Sequence, residues 1–219
     1  MIAAVIKIGG SLAKSPSLPD VCNALGELGR EHPLLVVPGG GLFADAVRTC
    51  HGRFPISQSA AHWMAILGMD QYGLLLADLT AGSKTVVSPD QAQSVAKQGL
   101  VPIFLSSEWL RRSDALPHSW DVTSDSIAVW IATAIKAPLC VLVKEADGLY
   151  TSYPPTDAKA LPCARMSVAE LKTCRGVDRY LPQLLTANAP ELWVVNGHHP
   201  ERLEELLTTG TTLGTRITA

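Results

Sequence analysis

Residues 2–8 are apolar at every position except Lys7, and a Gly9-Gly10-Ser11 turn follows at once. A run of that length fits a strand buried on both faces of a parallel sheet. A lysine set into such a strand needs a standing anionic partner, because an unpaired ammonium is costly to desolvate. Two glycines without Cβ atoms leave backbone N–H groups open to a phosphate chain. The alternative reading is an edge strand whose lysine reaches water before an ordinary turn.

The following segments repeat the pattern. Residues 18–31 carry Val21, Leu25 and Leu28 on one helical face, residues 34–37 form a second apolar strand, and Gly39-Gly40-Gly41 opens another helix over residues 42–50. Strand, helix, strand, glycine turn and helix make a βαβ opening. Gly39, Gly41 and Ala44 satisfy the dinucleotide pattern G-x-G-x-x-A. The acidic residue expected about 20 positions on is missing, however, and residues 59–79 read as one long helix bearing His62 and Asp70. A glycine loop at a helix N-terminus equally suits an anion passing close to the backbone.

Further along, short strands are expected at residues 85–87 and 101–105, a polar helix at 90–97, and a loop or irregular helix at 109–116. His118 to Ser126 crowds hydroxyls and carboxylates at the mouth of an apolar helix, residues 127–135. Thr123 or Ser124 would cap that helix and Asp125 would sit in its first turn. Capping leaves Asp121 unexplained. Residues 139–143 form another apolar strand, and it too ends in a lysine, Lys144, before Asp147-Gly148 and Tyr150. Asp-Gly alone signals only a tight turn. Helices at 168–173, 178–185 and 200–207, with strands at 192–195 and 214–217, complete the reading.

Two strand-end lysines, two glycine turns and a carboxylate-rich helix start are the equipment of phosphoryl transfer, where alignment and charge neutralisation do most of the catalysis. Neither a Walker G-x-x-x-x-G-K-[ST] nor the protein-kinase signatures are present. No Ser/His/Asp or Cys/His order is recognisable, which weighs against hydrolases. The formal charge of -2 without a Lys/Arg run argues against nucleic acid or an anionic membrane as partner. No stretch reaches about 18 apolar residues and no leader pattern opens the chain, so the expectation is a cytoplasmic protein. Five scattered cysteines with no C-x-x-C pair read as idle thiols, and no metal-ligand cluster is expected.

Residues 5–12, 36–41, 121–125, 144–151 and 214–217 resemble, in that order, the amino acid kinase family. The phrases His118-Ser119-Trp120 and Val194-Val195-Asn196-Gly197-His198-His199-Pro200 are most similar to its short kinases of methanofuran biosynthesis. The resemblance implies a single domain over residues 1–219: an α/β fold, a three-layer αβα sandwich around a mainly parallel sheet. It places an acceptor-binding half at about 1–137 and an ATP-binding half at about 138–219. It further implies MgATP, a homo-oligomer, and a small phosphate acceptor, [5-(aminomethyl)furan-3-yl]methyl phosphate, converted to its diphosphate. Carried over by position, Lys7 and Asp125 are catalytic; Lys7, Gly9, Gly10, Ser11, Lys144, Asp147, Gly148 and Tyr150 border the nucleotide; Gly39, Gly40, Gly41 and Asp121 face the acceptor. Arg48, just after the glycine loop, is the candidate grip on the acceptor phosphate, with His62 assisting.

Relatives that phosphorylate acetylglutamate carry a second catalytic lysine where this chain departs and reads Gly176-Val177-Asp178-Arg179; Arg179 is the candidate substitute, but its guanidinium fork is not equivalent to a lysine point charge. Tyr153-Pro154 replaces a common Asp-Pro on the adenine side. Other readings are a kinase for UMP, isopentenyl phosphate or an amino-acid carboxylate, and a nucleotide-binding protein without turnover. A phosphate oxygen is already anionic at neutral pH, so no general base is expected.

Overall fold

The computed structural model describes residues 1–152 and 160–218; Tyr153 and Pro154 lie outside them. The apolar run becomes β1 (Ala4–Ile8), and the Gly-Ser turn winds into a short 3-10 segment, Gly10–Lys14. Pro19 in the first turn fits the start of α1 (Leu18–Glu31), since a missing N–H costs nothing there. β2 (Leu34–Pro38) leads into α2 (Gly41–Arg53) and the long α3 (Gln58–Leu79), which is capped by Ser57. β3 (Ser83–Val86), α4 (Pro89–Ala96) and β4 (Val101–Phe104) follow.

The expected irregular stretch at 109–116 is instead a regular helix, α5 (Ser107–Ser113), starting earlier and ending at Asp114 with φ 40°. Its start escapes pattern reading because Asp70, far off in sequence, accepts the Ser107 N–H at 3.3 Å. α6 (Ser124–Ala134) and β5 (Leu139–Lys144) come next. The Asp-Gly turn then leads to β6 (Leu149–Tyr150), which pairs with β7 (Pro162–Cys163) rather than folding back on β5. β8 (Arg165–Ser167), α7 (Val168–Leu171), α8 (Leu181–Leu184), β9 (Glu191–Asn196), α9 (Glu201–Thr209) and β10 (Thr215–Thr218) close the chain. The helix expected from 178 begins only at Leu181, because the Asp178 carboxylate takes the Leu181 N–H at its head.

Eight strands form the central sheet in the order β3-β4-β2-β1-β5-β9-β10-β8. All neighbours are parallel except β9 and β10. Alternate residues serve opposite faces, as a pleated strand requires. Val5, Val37, Cys140 and Leu142 join α4, α5, α6 and α8 in one apolar cluster. Ala4, Ile6, Val36, Val141 and Val143 join α1, α9 and the inner side of α3 in the other. The result is a helix layer on each side of the sheet. All five cysteines are free. No helix among the described residues is long and apolar enough to cross a membrane.

Candidate active site

β1 occupies the point where the strand order reverses, with β2 on one side and β5 on the other. In open α/β sheets the crevice beyond the carboxyl ends at such a point is where ligands bind. Lys7 lies opposite Leu142, so Lys144, two residues on, leaves β5 on the same face. That is the face covered by α6, whose first turn carries Asp125. Lys7 Nζ donates to Asp125 Oδ1 at 2.8 Å and Lys144 Nζ to Asp125 Oδ2 at 2.7 Å.

Lys7 and Asp125 are almost wholly buried, and the Lys144 side chain is 21% exposed. Burial pulls the Lys7 ammonium below the ordinary lysine range, outweighing Asp125, with Lys144 adding to the fall. Burial alone would raise the Asp125 carboxyl, but Lys144 and Lys7 together hold it well below the usual carboxylate range. One carboxylate thus serves two ammonium groups. The excess positive charge faces the crevice, where an anion can be neutralised without solvent reorganisation.

The two glycine turns lean backbone to backbone. A Cβ on Gly10 would stand 2.1 Å from the Gly41 nitrogen, and one on Gly39 would stand 2.5 Å from the Gly10 nitrogen. Their contact brings the ends of β1 and β2 together and shapes the floor of a cleft of about 810 Å³. Lys7, Gly9, Gly10, Ser11, Gly40, Gly41, Arg48, Asp125, Lys144, Gly148 and Tyr150 all line it.

Three expected site residues do not line it. The Gly39 N–H is spent on the Ile8 carbonyl at 2.8 Å, and its Cα packs inside the turn. Asp147 points away to Asn196 Nδ2 at 3.0 Å and Arg202 Nη1 at 2.5 Å; those hydrogen bonds hold its carboxyl below the usual range. Asp121 is largely exposed, 3.9 Å from an Arg179 guanidinium whose side chain is 88% exposed. Arg179 therefore does not fill the place of a second buried lysine. Lys144 already stands beside Lys7.

At the other end of the cleft, Arg48 bonds Asp45 at 2.9 Å and lies 4.9 Å over the Trp120 ring. The Trp120 indole N–H donates to His51 Nδ1 at 2.9 Å, which fixes the ring as a cleft wall. His62 also lines the cleft and stacks on His118 at 4.3 Å. Burial, and then His118, pull His62 down to about 4, so the ring is neutral at pH 7. Asp70 is accounted for by its bond to the head of α5, and burial raises its carboxyl.

The residue that pattern reading missed is Asp178, placed at the start of a helix on sequence alone. Its Oδ2 accepts the Thr123 N–H, the Thr123 hydroxyl and the Ser126 N–H, each at 2.9 Å. Its Oδ1 accepts the Ser126 hydroxyl at 2.5 Å and the Leu181 N–H at 2.9 Å. Thr123 makes no side-chain cap bond, so the cap expected from Thr123 or Ser124 comes from Asp178 instead. The signal in the sequence was an acidic residue beside Val177 and ahead of Leu181, both of which are buried.

Residues 3–187 match the amino acid kinase family. The [5-(aminomethyl)furan-3-yl]methyl phosphate kinase of Methanocaldococcus jannaschii is 31% identical over 205 residues, covering 93% of this chain and 92% of that protein. The uridylate kinase of Methanosarcina mazei is 26% identical, covering 76% of this chain and 70% of that one. Among solved structures, uridylate kinase from Archaeoglobus fulgidus superposes with a TM-score of 0.76 at 20% identity, covering 99% of this chain and 100% of that one. Isopentenyl phosphate kinase from T. acidophilum gives 0.67 at 18% identity, covering all of both chains. These likenesses replace the dinucleotide-binding alternative suggested by Gly39, Gly41 and Ala44. With its parallel sheet and paired strand-end lysines, the chain belongs to the amino acid kinase family and is a phosphotransferase.

Proposed function

We propose that this protein transfers the γ-phosphoryl group of ATP to a phosphate oxygen of [5-(aminomethyl)furan-3-yl]methyl phosphate, a step of methanofuran biosynthesis. The observation that carries the reading is the 31% identity, along nine-tenths of both chains, to the relative with that acceptor in its name. The acceptor oxygen forms the new P–O bond as the bond from the γ-phosphorus to the β–γ bridging oxygen breaks, and ADP leaves. Both ends of that displacement carry negative charge. Lys7 and Lys144 supply the compensating positive charge, and the glycine turns admit the phosphate chain.

The acceptor lies on the side of residues 1–137, against Arg48, His62 and Trp120, and the nucleotide on the side of residues 138–219, along Gly148 and Tyr150. Mg²⁺ is expected with the nucleotide, which is where such ions usually sit. Asp125 is already engaged by two ammonium groups, and no cluster of three acidic, His or Cys side chains occurs among the described residues. The phosphate oxygens, not a protein cage, would hold the ion. A homo-oligomer is part of the same reading, because α3 is apolar on its outer side as well as its inner one.

The reading is tested by ADP release from MgATP with the furan phosphate, UMP, isopentenyl phosphate, acetylglutamate and no acceptor. Turnover with the furan phosphate alone is expected. Turnover with UMP alone would favour the second reading, a uridylate kinase, which rests on the 26% identity to the Methanosarcina mazei protein.

A further inference from the structure

We propose that Asp178 is a positioning residue for phosphoryl transfer: it fixes the first turn of α6, and through that turn the Asp125 carboxylate on which Lys7 and Lys144 converge. The start of any helix leaves N–H groups without partners, and a Ser or Thr side chain commonly supplies the missing acceptor. Thr123 stands in the right place and does not serve. A carboxylate from 55 residues downstream takes that position instead, gripping residue 123 through both its N–H and its hydroxyl, and residue 126 in the same way. Asp125 lies between the two gripped residues.

This arrangement is costly in one respect. Asp178 is half-buried, and burial and the Asp125 charge both raise its carboxyl. A hydroxyl cap would have held the helix without that repulsion, so helix stability alone does not account for it. The geometry gives two things that a local cap cannot. It sets a further carboxylate within electrostatic reach of the buried Lys7. It also ties α6 to the segment containing Gly176, which lines the cleft and packs against Leu149. Asp125, the lysines and that side of the cleft are thereby held as one unit. A displacement of 1 Å at such a site is enough to cost about 10²-fold in rate.

The inference rests on the transfer role given above to the two lysines, and its test has one arm that needs no acceptor. In the ligand-free protein, ¹³Cε resonances of Lys7 and Lys144 are titrated in wild type, Asp178→Asn and Thr123→Val. In parallel, kcat and KM for ATP and for whichever acceptor is turned over are compared at temperatures where each variant is folded. Asp178→Asn should shift the Lys7 titration and lower kcat about 10²-fold, with both KM values within about threefold.

Thr123→Val removes one donor and leaves the carboxylate, so it should move the same readouts in the same direction by less. It carries the test if Asp178→Asn does not fold. Unchanged lysine titrations, or a rate that falls only with the folded fraction, would reduce Asp178 to a helix cap and overturn the proposal. If no acceptor is found, the lysine titrations still decide.

Discussion

Lys7 and Lys144 leave adjacent parallel strands on one face and end on the two oxygens of a single carboxylate, 2.8 Å and 2.7 Å away. The parity follows from register, because Lys7 pairs with Leu142 and side chains alternate along a strand. Two ammonium groups share that one carboxylate, and in the function proposed above they are what the phosphoryl group meets.

Replacing Asp125 with Asn should therefore remove most of the activity while leaving the side chain's shape. The amide would present one acceptor and one NH₂ to two ammonium groups, and Lys7, already pulled down by burial, would lose its proton more readily. A kcat loss of about 10²–10³-fold is expected. Equilibrium unfolding in urea should show a loss on the order of 3 kcal/mol, the range for breaking a buried ion pair. Near-normal kcat would remove Asp125 from the transfer machinery.

The glycine turns give a sharper contrast. Gly10→Ala sets a methyl 2.1 Å from a backbone nitrogen, where no flexible side chain can yield, whereas Gly52 in α2 has nothing within 4 Å of its would-be Cβ. Gly10→Ala should cost about 2–4 kcal/mol and most of the activity. Gly52→Ala should be neutral or stabilising by up to about 1 kcal/mol. Thermal denaturation of the two variants side by side checks both.

These contrasts also show how far the sequence could be read. The strand lysines were legible because a charge inside an apolar run is conspicuous locally, and so were the glycine turns and Asp125. Their partnership was not, since Lys7 and Asp125 are 118 residues apart and meet only through the order of the sheet. Asp147 and Asp121 illustrate the opposite error. Each sits in the right phrase, but Arg202 draws one carboxylate away from the cleft and solvent receives the other. Asp178 was passed over for its neighbour Arg179 because a sequence does not say which of two adjacent side chains turns inward.

His62 ties acid stability to the burial of one imidazole. It titrates at about 4 in the fold, against 6.5 in an unfolded chain, so between those values the unfolded state binds the extra proton. Stability should thus fall as pH drops from 6.5 to about 4, by about 1–3 kcal/mol. Asp125 acts in a lower window. Its carboxyl is depressed, so its contribution is complete above about 3.9 and is lost only as pH falls below that. Urea unfolding at pH 6.5 and 4.5 should show the first loss in wild type and a smaller one in His62→Phe.

The outer side of α3 predicts self-association. Leu67 and Leu74 are 48% and 56% exposed, with Met64 and Leu75 beside them on a helix whose inner side is already packed. Apolar surface of this kind on both sides of a helix marks a contact still to be made. Sedimentation of the wild type should give an oligomer, and Leu67→Glu with Leu74→Glu should shift it towards monomer. A monomeric wild type would refute the expectation.

Arg48 separates the two ends of the cleft. Its guanidinium bonds Asp45 and covers Trp120 in the cleft, and in the function proposed above it grips the acceptor phosphate and not the nucleotide. A guanidinium offers two parallel donors to phosphate oxygens, and a hydrogen bond to a charged group contributes about 1.5–3 kcal/mol. Arg48→Ala should accordingly raise the acceptor KM about tenfold or more, while the ATP KM stays within about twofold. Arg48→Lys keeps the charge but not the fork, and should recover only part of the loss. Steady-state kinetics with each substrate varied in turn decides the point, because an unchanged acceptor KM in Arg48→Ala would place the acceptor phosphate elsewhere in the cleft.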